Sequence, residues 1–161
     1  MTVYSYIRIL VADDNMEFRR YMKQKLVDIG FCSIDLAATA EEAETRLKQK
    51  EYDIVFLDWM MPGKSGFVLL KQLREDLHYE DTAFVIVSAE SRERYVIEAM
   101  KAGATCYLIK PISFASFNDK VSKVVEWVKK KRAIRHTLLK SEVVALPLSC
   151  QLGSNQTVID S

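Results

Sequence analysis

The stretch DIVFLDWMMPGKSG, residues 53–66, decides the fold. From Asp53 to Leu57 it reads as a strand, and its unbroken apolar run means that both faces are buried. The run stops at a second acid, Asp58. A loop from Trp59 to Ser65 carries Pro62 and Gly63, and a helical pattern follows from Gly66 to about Leu77. A strand buried on both faces belongs in a parallel sheet sandwiched between helices.

Outward from that stretch, the same unit of apolar run and helix-periodic segment accounts for five strands and five helices. Ile7 to Ala12 (IRILVA) is the first strand, and it ends at Asp13 and Asp14. The first helix places Phe18, Met22, Leu26 and Ile29 on one face, with Gly30 at its end. Cys32 to Ala37 is a more polar strand, suited to a sheet edge. The second helix opens with the capping box Thr39-x-x-Glu42 and buries Ala43 and Leu47. Ala83 to Ser88 (AFVIVS) is the fourth strand, with a helix from about Arg92 to Ala102, closed by Gly103. Thr105 to Ile109 is the fifth, followed by Lys110 and Pro111, and the last helix spaces Phe114, Phe117, Val121, Val124 and Val128. Right-handed crossovers and a polar second strand at the edge favour the order 2-1-3-4-5. In that order ligands bind beyond the carboxyl ends of strands 1 and 3, where the winding reverses, and there the sequence places Asp13, Asp14 and Asp58.

The chain has 161 residues, 49% hydrophobic and 28% charged, the balance of a soluble protein with a sizeable core. No apolar run approaches the roughly 18 residues of a membrane span, and MTVYSYIRIL lacks the features of a signal peptide. Cys32, Cys106 and Cys150 have no metal-ligand spacing and read as thiols of a reducing cytoplasm. The Asn155-Gln156-Thr157 sequon carries no meaning without secretion. Residues 1–117 hold 15 Lys and Arg against 18 Asp and Glu, while residues 118–161 hold 8 against 4. Neither balance argues for nucleic acid.

Three carboxylates in one crevice repel one another unless a proton or a cation intervenes. Mg²⁺ suits such a site, because it takes oxygen ligands and is commonly shared between carboxylates and phosphate. A carboxylate can attack phosphorus and form an aspartyl phosphate. The charge on the transferring group then needs a metal and an ammonium, and Lys110 supplies the ammonium. Ser88, ending the fourth strand, can donate its hydroxyl hydrogen to a phosphoryl oxygen. Each residue alone has an ordinary structural reading; their conjunction at one end of one sheet does not.

The segments VADDN, VFLDWMMPGKSG, IVSAE and YLIKP resemble the motifs of the response-regulator receiver domain of two-component signalling, over roughly Ile7 to Lys131. The spacing is most similar to that of single-domain chemotaxis regulators. The resemblance implies a flavodoxin-like α/β fold and a phosphoryl group accepted on Asp58 from a histidine kinase or histidine phosphotransfer protein. It implies Mg²⁺ bound by Asp14, Asp58 and the carbonyl of Met60, with Asp13 acting through water. Lys110 and Ser88 would contact the phosphoryl group, the Lys110–Pro111 peptide would be cis, and Ala89 is the small residue beside the acceptor. Tyr107 matches the switch aromatic, turning inward as Ser88 moves and altering an output face on helix 4, strand 5 and helix 5. Met60 and Glu90 would tune the lifetime of the phosphoryl group; with Met60 apolar, slow self-dephosphorylation is expected.

This makes the chain a switch that assists its own phosphorylation and dephosphorylation, not an enzyme that turns over a substrate. A flavin mononucleotide carrier would want a Ser/Thr/Gly-rich loop where Asp13 and Asp14 stand. An aspartyl phosphatase would want a second acid two residues after Asp58, where Met60 stands. A degenerate receiver acting as an interaction module, and the front part of a longer regulator, stay open as alternatives. Residues 1–131 are assigned to the receiver domain and 132–161 to a C-terminal tail. In that tail the basic KKKRAIRHTLLK, with Ile134 and Leu138 one turn apart, reads first as a solvated helical extension, second as a dimerising helix and a distant third as a nucleic-acid contact. The expected partners are the phosphodonor, a downstream protein and a second copy of the chain, with no membrane and no direct nucleic acid.

Overall fold

The computed structural model describes residues 4–145, with side chains to residue 141. Cys150 and the Asn155-Gln156-Thr157 sequon lie outside the described residues. The elements run β1 (Tyr4–Ala12), α1 (Met16–Ile29), β2 (Phe31–Ala37), α2 (Ala40–Gln49), β3 (Ile54–Asp58) and α3 (Gly66–Arg74). A short 3₁₀ turn (Leu77–Tyr79) precedes β4 (Ala83–Ser88), α4 (Glu93–Lys101), β5 (Cys106–Ile109) and α5 (Phe114–Ala145). All strand pairs are parallel, in the order β2-β1-β3-β4-β5. The polar β2 takes one edge, as its sequence requires.

Alternate residues of each strand face opposite layers. Leu10, Val55, Leu57, Phe84 and Ile86 pack with Ala43, Leu47, Leu69, Leu73 and Ala99 of α2, α3 and α4. Ile9, Val11, Phe56, Val85 and Leu108 pack with Met22 and Leu26 of α1 and Phe117, Val121 and Val124 of α5. The register aligns the strand ends that matter for the site: Ala12 pairs with Leu57, Asp58 with Val87, and Ser88 with Ile109. Polar side chains therefore emerge together just past Ala12, at Asp58 and at Ser88.

Side-chain caps open α1, α2 and α3, the Thr39 cap as its sequence predicts. Asn15 accepts from the Phe18 N–H, Thr39 from Glu42 and Ser65 from Val68. Gly30 closes α1 in the left-handed region that disfavours other residues, φ 115°.

Two boundaries depart from the sequence reading by three residues. β1 begins at Tyr4 rather than Ile7, because Tyr4 pairs with Phe31 and stacks on its ring at 4.7 Å. The third helix ends at Arg74 rather than Leu77. The Arg74 side chain donates to the carbonyls of Tyr79, Thr82 and Gly103, and Asp76 caps the separate 3₁₀ turn. Leu77 is left 79% exposed, outside the helix.

α5 extends to Ala145, and the chain divides into two compact units after Val128. In the unit beginning at Lys129, Ile134, Leu138 and Leu139 are exposed.

Candidate functional site

β1 ends at Ala12, where the Asp13 N–H still donates to the Ala37 carbonyl of β2, and the chain leaves Asp13 buried and Asp14 exposed. One Asp13 oxygen accepts from the Asn15 N–H at 2.9 Å. The other accepts from the Lys110 ammonium at 2.6 Å, and the same ammonium lies 3.6 Å from Asp58 Oδ1. Lys110 is tethered by its own N–H, which donates to the Ser88 carbonyl at 2.8 Å, and its peptide to Pro111 is cis, as the resemblance implied. Carboxylate oxygens of Asp13, Asp14 and Asp58 all lie within 4.8 Å of one another.

Burial pushes the Asp58 carboxyl up to about 7, and the charges of Asp13 and Asp14 add to it. The Lys110 ammonium and the Met60 N–H pull in the other direction without cancelling the effect. The ammonium carries less positive charge than the three carboxylates carry negative. Close oxygen donors with a charge deficit are the donor set a hard divalent cation takes, so the residues fit Mg²⁺.

On the β4 side, Asp58, Met60, Ser88, Ala89, Glu90 and Lys110 line a crevice of about 360 Å³. Ser88 is buried, and its hydroxyl oxygen accepts from the Glu90 N–H at 3.1 Å. Met60 stands at the rim with 71% of its surface exposed. The Arg92 guanidinium grips the Glu90 carboxylate and holds it down to about 2. Tyr107 is buried, and its hydroxyl donates to the Glu90 carbonyl at 2.8 Å. Asp13, Asp14, Asp58 and Lys110 thus form one contact group. Met60, Ser88 and Glu90 wall the crevice, and Tyr107 braces the Glu90 wall through that carbonyl.

Four features escaped the sequence reading. Trp59, buried beside Asp58, stacks on Phe67 at 4.3 Å and meets Tyr95 edge-on at 5.4 Å. Gly66 opens α3 so close to β3 that an added Cβ would lie 1.9 Å from the Asp58 carbonyl oxygen. Arg74, far from the site, staples three carbonyls and lies over the Phe84 ring. Phe18 faces the Lys110 ammonium with its ring, 4.0 Å from centroid to nitrogen. The sequence does show that Trp59 and Phe67 flank the acceptor loop, but nothing in it sets their stacking.

A doubly wound parallel sheet with acids at its switch point and a lysine just past β5 defines a class of signalling receiver. Residues 9–122 match the family model described as the response regulator receiver domain, and the chain belongs to that family. It is 35% identical over 120 residues to the chemotaxis protein CheY-3 of Vibrio cholerae, spanning 74% of this chain and 92% of that protein. Among solved structures it resembles the response regulator TrrA of Thermotoga maritima, determined in complex with Mg²⁺ and beryllium fluoride. That match has a TM-score of 0.65 and 33% identity, covering 73% of this chain and 98% of the other. It also resembles a chain of the CheX–CheY–BeF₃–Mg²⁺ complex of Borrelia burgdorferi, with a TM-score of 0.69, 29% identity and coverage of 74% and 89%.

Proposed function

We propose that this chain accepts a phosphoryl group on Asp58 from the phosphohistidine of a histidine kinase or histidine phosphotransfer protein. The observation that carries the reading is the Lys110 ammonium lodged between Asp13 and Asp58, inside a cluster of three carboxylates.

An Asp58 oxygen attacks phosphorus, the new O–P bond forms as the donor's P–N bond breaks, and the departing imidazole nitrogen keeps the electron pair and takes a proton. The Met60 N–H orients the nucleophile by donating to the Asp58 carboxylate. Lys110 is within reach of a phosphoryl oxygen on Asp58, and the Ser88 hydroxyl, which lines the same crevice, can donate to another. Mg²⁺, when bound, neutralises charge on the transferring group, a role in which metals serve phosphoryl transfer generally. Asp14, Asp58 and the Met60 carbonyl would hold it. Asp13, whose two oxygens already serve Asn15 and Lys110, would act through water. Met60, too apolar to orient an attacking water, favours a long-lived phosphoryl group, with Glu90 as its neighbour on the wall.

Ser88 accepts from Glu90, and Tyr107 donates to Glu90, so drawing Ser88 toward the phosphoryl group disturbs the turn into α4. The α4–β5 surface that would respond exposes Ile97, Met100 and Ile109, an apolar face for a downstream protein or a second copy. We assign residues 1–131 to this receiver and 132–161 to a tail. The phosphoryl turnover is self-modification, so the chain is a switch and not an enzyme. No helix among the described residues is long and apolar enough to cross a membrane, and we place the chain in the cytoplasm with its phosphodonor.

Beryllium fluoride, which stands in for a phosphoryl group, tests the site and the switch together. With Trp127 replaced by phenylalanine, Mg²⁺ plus beryllium fluoride should change Trp59 emission saturably. An unaltered spectrum, with no heat on Mg²⁺ titration, would remove both the metal site and the acceptor reading.

A further inference from the structure

The Lys110 ammonium is held by more than carboxylates. Three groups surround it: Asp13 Oδ2 at 2.6 Å, Asp58 Oδ1 at 3.6 Å, and the ring of Phe18 at 4.0 Å from its centroid. An aromatic face at that distance attracts a cation through its quadrupole. The ring and the ammonium come from separate elements, and each is fixed by its own bonds. Phe18 sits in the first turn of α1, where its N–H donates to the Asn15 cap at 2.9 Å. Its ring lies 6.1 Å from that of Tyr21, whose hydroxyl donates to the Ile112 carbonyl at 3.3 Å and ties α1 to the loop after Lys110. Lys110 hangs from the end of β5 by its N–H bond to the Ser88 carbonyl.

We propose that Phe18 is a positioning residue that keeps the Lys110 ammonium in the crevice when a divalent cation shares the carboxylates. The inference rests on the phosphoacceptor reading for its purpose, though not for its geometry. Mg²⁺ takes oxygen ligands, so it competes with Lys110 for the charge of Asp13 and Asp58 and repels the ammonium directly. It does not compete for an aromatic face. The ring is therefore the contact whose share of the hold on Lys110 grows as the metal binds. A phenylalanine that only filled the α1 core would matter equally with and without Mg²⁺, and the proposal requires that it not.

The test compares the full-length parent with Phe18→Leu and Phe18→Met, which keep apolar bulk without a ring, and Phe18→Tyr, which restores the ring. Proton–nitrogen NMR of the lysine ammonium groups, with Lys110 assigned by Lys110→Arg, reads the position directly, since an ammonium held in the crevice exchanges its protons with water slowly enough to be seen and one released to solvent does not. The parent and Phe18→Tyr should keep a visible Lys110 signal both without metal and in saturating Mg²⁺, whereas Phe18→Leu and Phe18→Met should show it without metal and lose it when Mg²⁺ is added. Affinity for beryllium fluoride at saturating Mg²⁺ should fall about two- to tenfold in the ringless variants and recover in Phe18→Tyr. Thermal unfolding identifies any variant that fails to fold, and the second ringless variant then decides. A Lys110 signal unchanged in the ringless variants, or lost equally in Phe18→Tyr, overturns the proposal. A parent that ignores beryllium fluoride overturns the acceptor reading instead, and the Lys110 signal still judges Phe18.

Discussion

Replacing Gly66 by alanine should destabilise the protein, although glycine-to-alanine at a helix position ordinarily stabilises it by roughly 0.5–1 kcal/mol. The reason is steric. The new Cβ would stand 1.9 Å from the Asp58 carbonyl oxygen, 3.0 Å from its carbonyl carbon and 3.3 Å from Leu57 Cβ. Carbon and oxygen need more than an ångström of further separation, and the nearest obstacle is the backbone of β3, which has no rotamer to escape through. Either α3 backs away, losing the Gly66 N–H bond to the Trp59 carbonyl and the seating of Leu69 and Leu70, or the end of β3 moves. Overpacking of this kind costs about 1–3 kcal/mol and sometimes more. With backbone as the obstacle we expect about 3 kcal/mol, a large part of the roughly 5–15 kcal/mol that holds a domain folded. Urea unfolding should show a lower midpoint at unchanged slope. Because the displaced strand end carries Asp58, Mg²⁺ affinity should fall as well. A Gly66→Ala protein as stable as the parent, binding Mg²⁺ equally well, would refute the close approach of α3 to the acceptor.

Asp58→Asn should stabilise the metal-free protein at pH 8, where the parent keeps a buried carboxylate beside Asp13. With the folded carboxyl raised to about 7, the folded state binds more protons than the unfolded one between about pH 4 and 7, so parent stability falls as pH rises through that window. The full shift would be worth about 4 kcal/mol; water in the crevice screens it, and we expect about 1–2 kcal/mol, shrinking toward pH 4 and offset by Mg²⁺, as measured by urea unfolding. Arg74→Met should cost about 2–4 kcal/mol in the same assay, because three carbonyls lose their donor; a loss under 0.5 kcal/mol would show the staple to be dispensable. Beryllium fluoride with Mg²⁺ should shift self-association through the α4–β5–α5 face. Light scattering on the full chain and on a version ending at Lys131 tests this, and an unchanged monomer throughout would leave a partner protein as the output.

Much of the site is legible in the sequence because the strands are. Continuous apolar runs such as DIVFL and AFVIVS can satisfy burial on both faces only in a parallel sheet, and parallel strands bring their carboxyl ends together. Asp13, Asp14, Asp58, Ser88 and Lys110 then converge by topology alone. The features that stayed hidden depend on side chains reaching across elements. The end of α3 is set by Arg74, which bonds carbonyls as distant as Gly103, so nothing local to the sequence stops the helical pattern short of Leu77. Phe18 occupies a core-facing position on α1, and nothing local separates an aromatic that packs from one that faces an ammonium. Gly66 looks like any helix-opening glycine until the strand beneath it is in place.

The central claim is that Asp58 takes the phosphoryl group. Incubation with acetyl phosphate and Mg²⁺, followed by intact-mass and peptide mass spectrometry after borohydride trapping, measures this directly. One phosphoryl mass should appear, the trapped residue should be Asp58, and the label should persist for many minutes and be absent from Asp58→Asn. Undiminished labelling of Asp58→Asn, or trapping at another residue, would contradict the account.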